Sequence, residues 1–328
     1  MQLSLLGLVC LLTALISLTI GPADLSALSV LKAIAGTGTD IGRTIVWEIR
    51  LPRTLLAMMI GATLALSGAA LQGFVRNPLA SPSLLGTSNF AALGAVIAIY
   101  FGTSNIFSLA IPAAAISLSL LSVLALMVIA GRDSRILTLI LTGLALSSLA
   151  SALTALALNL APNPFAAVEI AFWLLGSLSD RSFAHVTLAA PFMIICWFIL
   201  LYDRNALRAL ALGEDTARTL GIALDRVRLR LALAVALGVG AAVAVSGVIA
   251  FVGLVIPHVM RPLVGYDPGK LLLPSALAGA AFLTAADCGV RILSTTSELK
   301  LGVLTAIIGV PFFLALVFRE RRGKPAVI

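Results

Sequence analysis

The sequence predicts an all-α polytopic membrane protein of about ten transmembrane helices. Three observations carry this reading. Of the 328 residues, 60% are hydrophobic and only 11% are charged, far from the composition of a water-soluble domain. Apolar runs of roughly 17–24 residues, the length a helix needs to cross about 30 Å of hydrocarbon, recur from one end to the other. The basic residues gather in the breaks between these runs.

Residues 4–20 form the first run. Only Met1, Gln2 and Leu3 precede it, without a Lys or Arg, and no small-residue cleavage site follows, so a retained span is expected rather than a signal peptide. Further spans are expected near 54–74, 84–101, 107–130, 136–158, 186–202, 231–250, 252–264, 271–293 and 301–318. The stretch 252–264 is short and contains Pro257, His258, Arg261 and Pro262, which suits a broken helix packed inside a bundle.

With both termini in the cytoplasm, fifteen of the 22 Lys and Arg residues fall inside, and seven (Lys32, Arg43, Arg50, Arg53, Arg181, Arg291 and Lys300) fall outside. That asymmetry is the one the positive-inside rule expects. Sliding the chain against itself by 179 residues aligns 57–86 with 236–265 at nine identities, including Gly61 with Gly240, Gly68 with Gly247 and Pro78 with Pro257. The two windows start spans of opposite direction. The expectation is therefore an inverted repeat, with halves at approximately 54–158 and 231–318 in a single transmembrane domain covering 1–328.

The same residues exclude several function classes. Cys10, Cys196 and Cys288 stand singly in apolar segments, without metal-ligand or disulfide spacing. The net charge of +8 is spread over loops rather than along one soluble face, so no nucleic acid partner is expected. His185 and His258 are isolated, and GYDPGK at 265–270 misses the phosphate-binding pattern in both spacing and following residue. No enzyme and no bound metal or cofactor is expected. Any nucleotide chemistry must come from another chain.

Three polar regions remain as candidate sites. The segment 203–230 is charged, helix-competent and cytoplasmic; within GEDTARTLG, Glu214 and Asp215 suit a helix start and Gly221 a helix stop. It is either a surface for a partner or a basic loop that fixes topology. On the outer side, Arg50 and Arg53 in EIRLPRT and Arg291 at the end of 271–293 are either interface anchors or half of a charge-paired docking surface. The turn GRDSR at 131–135, with Asp133 and Ser134, either gates a pathway or merely connects two helices.

Five stretches read together resemble one family. They are IRLPRTLLAMMIGATLALSGAALQGFVRNPLASPSLLG at 49–86, ALGEDTARTLG at 211–221, SGVIAFVGLVIPHVMRPLVG at 246–265, LLLPSALAGAAFLTAADCGVRIL at 271–293 and ELKLGVLTAIIGVPFF at 298–313. Their order and spacing are similar to the FecCD/BtuC-type permeases, the membrane subunits of iron–siderophore and vitamin B12 ABC importers. The resemblance implies a type II ABC importer permease fold in a bacterial inner membrane. It also implies a second permease, identical or paralogous, an extracytoplasmic substrate-binding protein, and two cytoplasmic ATPase subunits that hold ATP and Mg. The cargo it implies is an iron(III)–siderophore-type chelate, with vitamin B12 or haem as alternatives. Carried over by motif, Glu214, Asp215, Arg218 and Gly221 contact the ATPase, Arg50, Arg53 and Arg291 dock the binding protein, and Asp133 and Ser134 form the cytoplasmic gate. Asp133 is not the small hydroxyl residue expected there, and GYDPGKLLLP and ELKLGV also depart from the family pattern in helix-connecting loops. A rival from another class, an ion-coupled secondary transporter, would need an acidic site within the bundle, for which Asp287 is the clearest candidate.

Overall fold

The computed structural model describes residues 2–103, 109–131, 136–293 and 299–321. Every described element is helical. In chain order these are α1 (Gln2–Thr19), α2 (Ala27–Ile34), α3 (Asp40–Thr44), a π-helical turn (Ile45–Arg50) leading directly into α4 (Leu51–Val75), a 3-10 turn (Pro82–Leu85), α5 (Thr87–Tyr100), α6 (Ala110–Ala130), α7 (Ile136–Asn159), α8 (Pro164–Leu174), α9 (Phe183–Tyr202), α10 (Arg204–Ala211), α11 (Glu214–Thr219), α12 (Leu224–Ser246), α13 (Val252–Met260), a 3-10 turn (Arg261–Val264), α14 (Pro268–Leu293) and α15 (Leu301–Arg321).

Among the described residues, six helical runs are long and apolar enough to cross a membrane: Asp40–Val75, Ala110–Ala130, Ile136–Asn159, Phe183–Tyr202, Leu224–Ser246 and Pro268–Leu293. The other four expected spans are also helical, but their apolar stretches, Leu3–Thr19, Thr87–Tyr100, Val252–Val264 and Leu301–Leu316, are shorter. An additional apolar helix, α8, occupies a stretch expected to be a connection. Asn163 caps it by accepting from Ala166 N–H at 2.8 Å, and Pro164 takes the first helical position, where its missing N–H costs nothing.

Burial divides the spans into core and perimeter. In the most apolar windows of the α4 run and of α12, 78% of the residues are buried, against 22% for α9. Lipid offers helices no hydrophobic drive to associate, so close backbone approach at small residues must hold the core. In α4, Gly61 faces the Gly279 carbonyl of α14, and Gly68 faces the Gly253 carbonyl of α13. Gly238 of α12 admits Cys196 of α9, and Gly94 of α5 rests on the Ala114 carbonyl of α6. Polar bonds supplement the packing: Ser119 Oγ donates to Ala236 O at 2.9 Å, and Trp197 Nε1 donates to Thr63 Oγ1 at 2.8 Å.

The matched windows 57–86 and 236–265 differ in where their helices stop. Helix α4 runs through Ser67 and Gly68 to Val75, whereas α12 ends at Ser246. Gly247 adopts φ +69, and a β-carbon there would lie 2.2 Å from Trp173 O, so the position demands glycine and ends the helix. The segment 203–230 is likewise not one unit. Leu224, Val227 and Leu231 are buried along one face, so 224–230 is the first part of α12, and only α10 and α11 form the separate surface element.

Candidate functional site

Charged side chains concentrate at the two ends of the bundle. At one end, that of Arg50 and Arg53, Asp287 of α14 is completely buried and is shared by two arginines. Arg53 donates to it through Nε at 3.0 Å and Nη2 at 2.9 Å, and Arg291, one helical turn along α14, pairs with it at 3.0 Å. Arg291 also donates to Ser17 O at 2.8 Å, Ile20 O at 2.7 Å and the Ser17 hydroxyl. Arg50, only 3% exposed, donates to Leu18 O at 2.8 Å, Thr19 O at 2.9 Å and Ala23 O.

These contacts have a common cause. The last carbonyls of α1 have no partners within the helix, and two guanidinium groups, one from the π-helical turn and one from α14, supply them. The three arginines expected to dock a partner thus form one cluster, but they are not exposed helix-end groups. Each is engaged inside the chain, where it ties α1, α4 and α14 together. The sequence offers Asp287 only as an acidic site for the ion-coupled rival, not as the partner of these arginines. Its i,i+4 spacing to Arg291 was a visible signal for one of its partners.

At the opposite end, α10 and α11 lie beside the tips of α4, α12 and α14. Gly213 precedes α11, and Glu214 and Asp215 occupy its first turn, where carboxylates complement the positive helix end. The helix closes in a Schellman arrangement: Ile222 N–H bonds Ala217 O at 3.1 Å, and Gly221 N–H bonds Arg218 O at 2.9 Å. Gly221 has φ +83 with open space around it. Asp215, Arg218 and Gly221 are exposed and Glu214 is half-buried, so the four expected coupling residues fall on one short surface helix and its cap. An open cleft of about 560 Å³ lies between this helix start, Arg76 and Ile136. The expected gate residues Asp133 and Ser134 lie outside the described residues.

Gly221→Ala tests the cap by itself. No neighbour obstructs the added methyl group, so the effect is backbone strain, about 1–2 kcal/mol for an alanine held at left-handed φ. The expected result is a bundle that stays folded while the end of α11 frays, measured as faster hydrogen exchange of the Gly221 and Ile222 amides.

Sequence reasoning missed the ion pairs that fasten this end. Asp203, buried at the junction of α9 and α10, accepts from Arg230 Nε at 3.0 Å. Gln72, also buried, donates to Ala80 O and Leu254 O at 3.2 Å each and accepts from Arg261 Nη2 at 2.7 Å. It therefore joins α4 to the short α13 and its 3-10 extension. Asp267 caps α14 through Gly269 N–H and Lys270 N–H, both at 2.9 Å, and accepts from Arg208 Nε of α10 at 2.9 Å. Burial pushes this carboxyl up, but the Arg208 guanidinium and the two N–H groups outweigh it and hold it below the usual carboxylate range.

A depressed folded value makes the stabilisation complete above the unfolded carboxylate value of about 3.9, and it is lost as pH falls through the lower folded value. The contact of α10 with α14 is expected to persist at neutral pH and loosen only in that acid window. Asp267→Asn should abolish the acid step in a pH titration of α10 mobility, read from a spin label on that helix.

Comparison with known proteins follows the same lines. The chain is 41% identical over 288 residues to the cobalamin import system permease protein BtuC of Halobacterium salinarum, covering 87% of this chain and 76% of that one. It is 35% identical over 323 residues to the molybdate import system permease protein MolB of Haemophilus influenzae, covering 97% and 95%. A solved structure described as an inward-facing metal-chelate type ABC transporter superposes with a TM-score of 0.88 at 34% identity, over 97% of this chain and 98% of that one. The model of the FecCD transport family matches residues 9–319. A bundle with a core of small-residue contacts, a broken inner helix and a short surface helix at one end thus has its place: the chain belongs to the FecCD transport family, as a multi-pass ABC importer permease.

Proposed function

We propose that this chain is the permease of an importer for iron(III)–siderophore-type chelates. It would work in a bacterial inner membrane with both termini cytoplasmic, as one transmembrane domain built from two inverted halves. A second permease, two cytoplasmic ATPase subunits holding ATP and Mg, and an extracytoplasmic binding protein complete the assembly. The chain itself would bind no cofactor and break no bond; it would move between outward- and inward-open states of different affinity.

The observation that carries this reading is the exposed, glycine-capped helix α11 at the inner end, opposite the arginine cluster. Such a surface helix suits a partner that pushes on it. In this reading Glu214, Asp215, Arg218 and Gly221 receive the ATPase, the turn with Asp133 and Ser134 gates the pathway, and the binding protein docks around the cluster of Arg50, Arg53 and Arg291. Likeness to a metal-chelate type transporter over nearly the whole of both chains favours a chelate cargo. Cobalamin is the second reading, favoured by 41% identity to a cobalamin permease.

The test is uptake into proteoliposomes carrying the complete complex, with ferric siderophores, cobalamin and molybdate offered in turn. ATP-dependent uptake of a ferric siderophore alone is the expected result. Uptake of cobalamin or molybdate instead would overturn the cargo while leaving the import function in place.

A further inference from the structure

Helix α2 carries apolar side chains on two opposite faces. Val30 and Ala33 are buried against Leu18 and Val46. Leu28 and Leu31 point the other way, 61% and 58% exposed, and Ile41, Trp47 and Ile49 extend the exposed patch across α3 and the π-helical turn. Contiguous exposed apolar surface of this kind marks an interaction site in a folded protein.

The depth of the patch identifies what covers it. From Val75 at the inner end of α4 back to Trp47 the helical run is unbroken. At about 1.5 Å per residue, less in the π-helical turn, the indole lies roughly 40 Å from that inner end. A bilayer with its headgroups is about 40–45 Å thick, so Trp47 falls at the outer headgroup level, where tryptophan is enriched. Its Nε1 donates to Ala33 O at 3.2 Å, which holds α2 at the same depth. The outer half of α1 exposes Leu12, Leu15 and Ile16, so apolar surface continues from the span up to the patch.

Charge does not supply the attraction. Lys32 and Arg43 are offset by Asp40 and Glu48, all exposed, which leaves this surface without net charge. We propose that α2, α3 and Trp47 form an interfacial anchor in the outer leaflet. Leu28 and Leu31 sit at the boundary between headgroups and acyl chains, with the Lys32 stem beside them and its ammonium at phosphate level. Because the anchor leads directly into α4, it sets the height of Arg50, Arg53 and Asp287 relative to the membrane plane. This goes beyond the transport reading and does not depend on which cargo is carried.

The native cysteines are buried, so a fluorophore can be attached selectively at Leu31→Cys and, separately, at Leu28→Cys, both in the assembled transporter. The labelled complex is placed in phosphatidylcholine vesicles. Lipid brominated near the top of its acyl chains should remove more than half of the emission at either position, aqueous iodide should remove little, and added anionic lipid should change neither result. Strong quenching by iodide with none by brominated lipid would overturn the proposal. So would shielding that appears only when the extracytoplasmic binding protein is added, an outcome that would make the patch a protein-docking surface.

Discussion

Gly68→Ala is expected to destabilise the permease more than any other single added methyl group in α4. A β-carbon at this position would lie 1.8 Å from the Gly253 carbonyl oxygen and 2.5 Å from its carbon. Both atoms are backbone, so no side-chain rotation relieves the clash, and α4 and α13 must separate. Overpacking of a core costs about 1–3 kcal/mol even where side chains can give way, and this contact belongs at or above the upper end. Gly61→Ala should follow, because its β-carbon would meet the Gly279 carbonyl oxygen at 2.2 Å. Gly7→Ala is the comparison: it meets nothing within 4 Å and gains up to about 1 kcal/mol of helix propensity. Unfolding of the purified protein in lipid nanodiscs, followed by tryptophan fluorescence, measures the order. Equal midpoints for Gly68→Ala and Gly7→Ala would contradict the packing described for the core.

Asp287→Asn is expected to have the second large effect. The substitution keeps the shape of the side chain and removes the one carboxylate shared by Arg53 and Arg291. Breaking a buried pair by removing one partner costs about 3–5 kcal/mol, because the remaining charge is left without compensation. Two guanidinium groups lose their shared carboxylate here rather than one. Adding Arg53→Leu to Asp287→Asn should therefore recover part of the loss, a non-additivity that a double-mutant cycle reads directly. Strict additivity of the two single effects would mean that the ion network does not hold these ends of α1, α4 and α14 together.

Both predictions rest on features that the sequence revealed unevenly. The small residues of GATLALSGAALQG indicated close packing, but which carbonyl each glycine would meet depends on segments nearly two hundred residues away. The start and stop of α11 were legible because capping is local: carboxylates in the first turn and glycine after the last are sequence-adjacent signals. The short, broken character of 252–264 was legible from Pro257 and Pro262, but the stop before it was not: the span expected to reach 250 ends at Ser246. Helix α8 was missed because eleven residues fall short of a span, although Asn163 and Pro164 are good start signals. The burial of Arg50 and Arg291 was not legible at all. Position at a span end suggested exposure, and only the folded chain brings the unpaired carbonyls of α1 within their reach.

The proposed role of α11, transmitting the work of ATP hydrolysis to this bundle, can be read from a photo-crosslinker placed at Arg218 in the assembled transporter. Crosslinks to the ATPase subunit are expected, with a yield that changes between nucleotide-free and ATP-bound states, together with loss of transport in Glu214→Lys. Crosslinks confined to the permease or to lipid, with uptake that persists without any ATPase and follows an ion gradient, would contradict it.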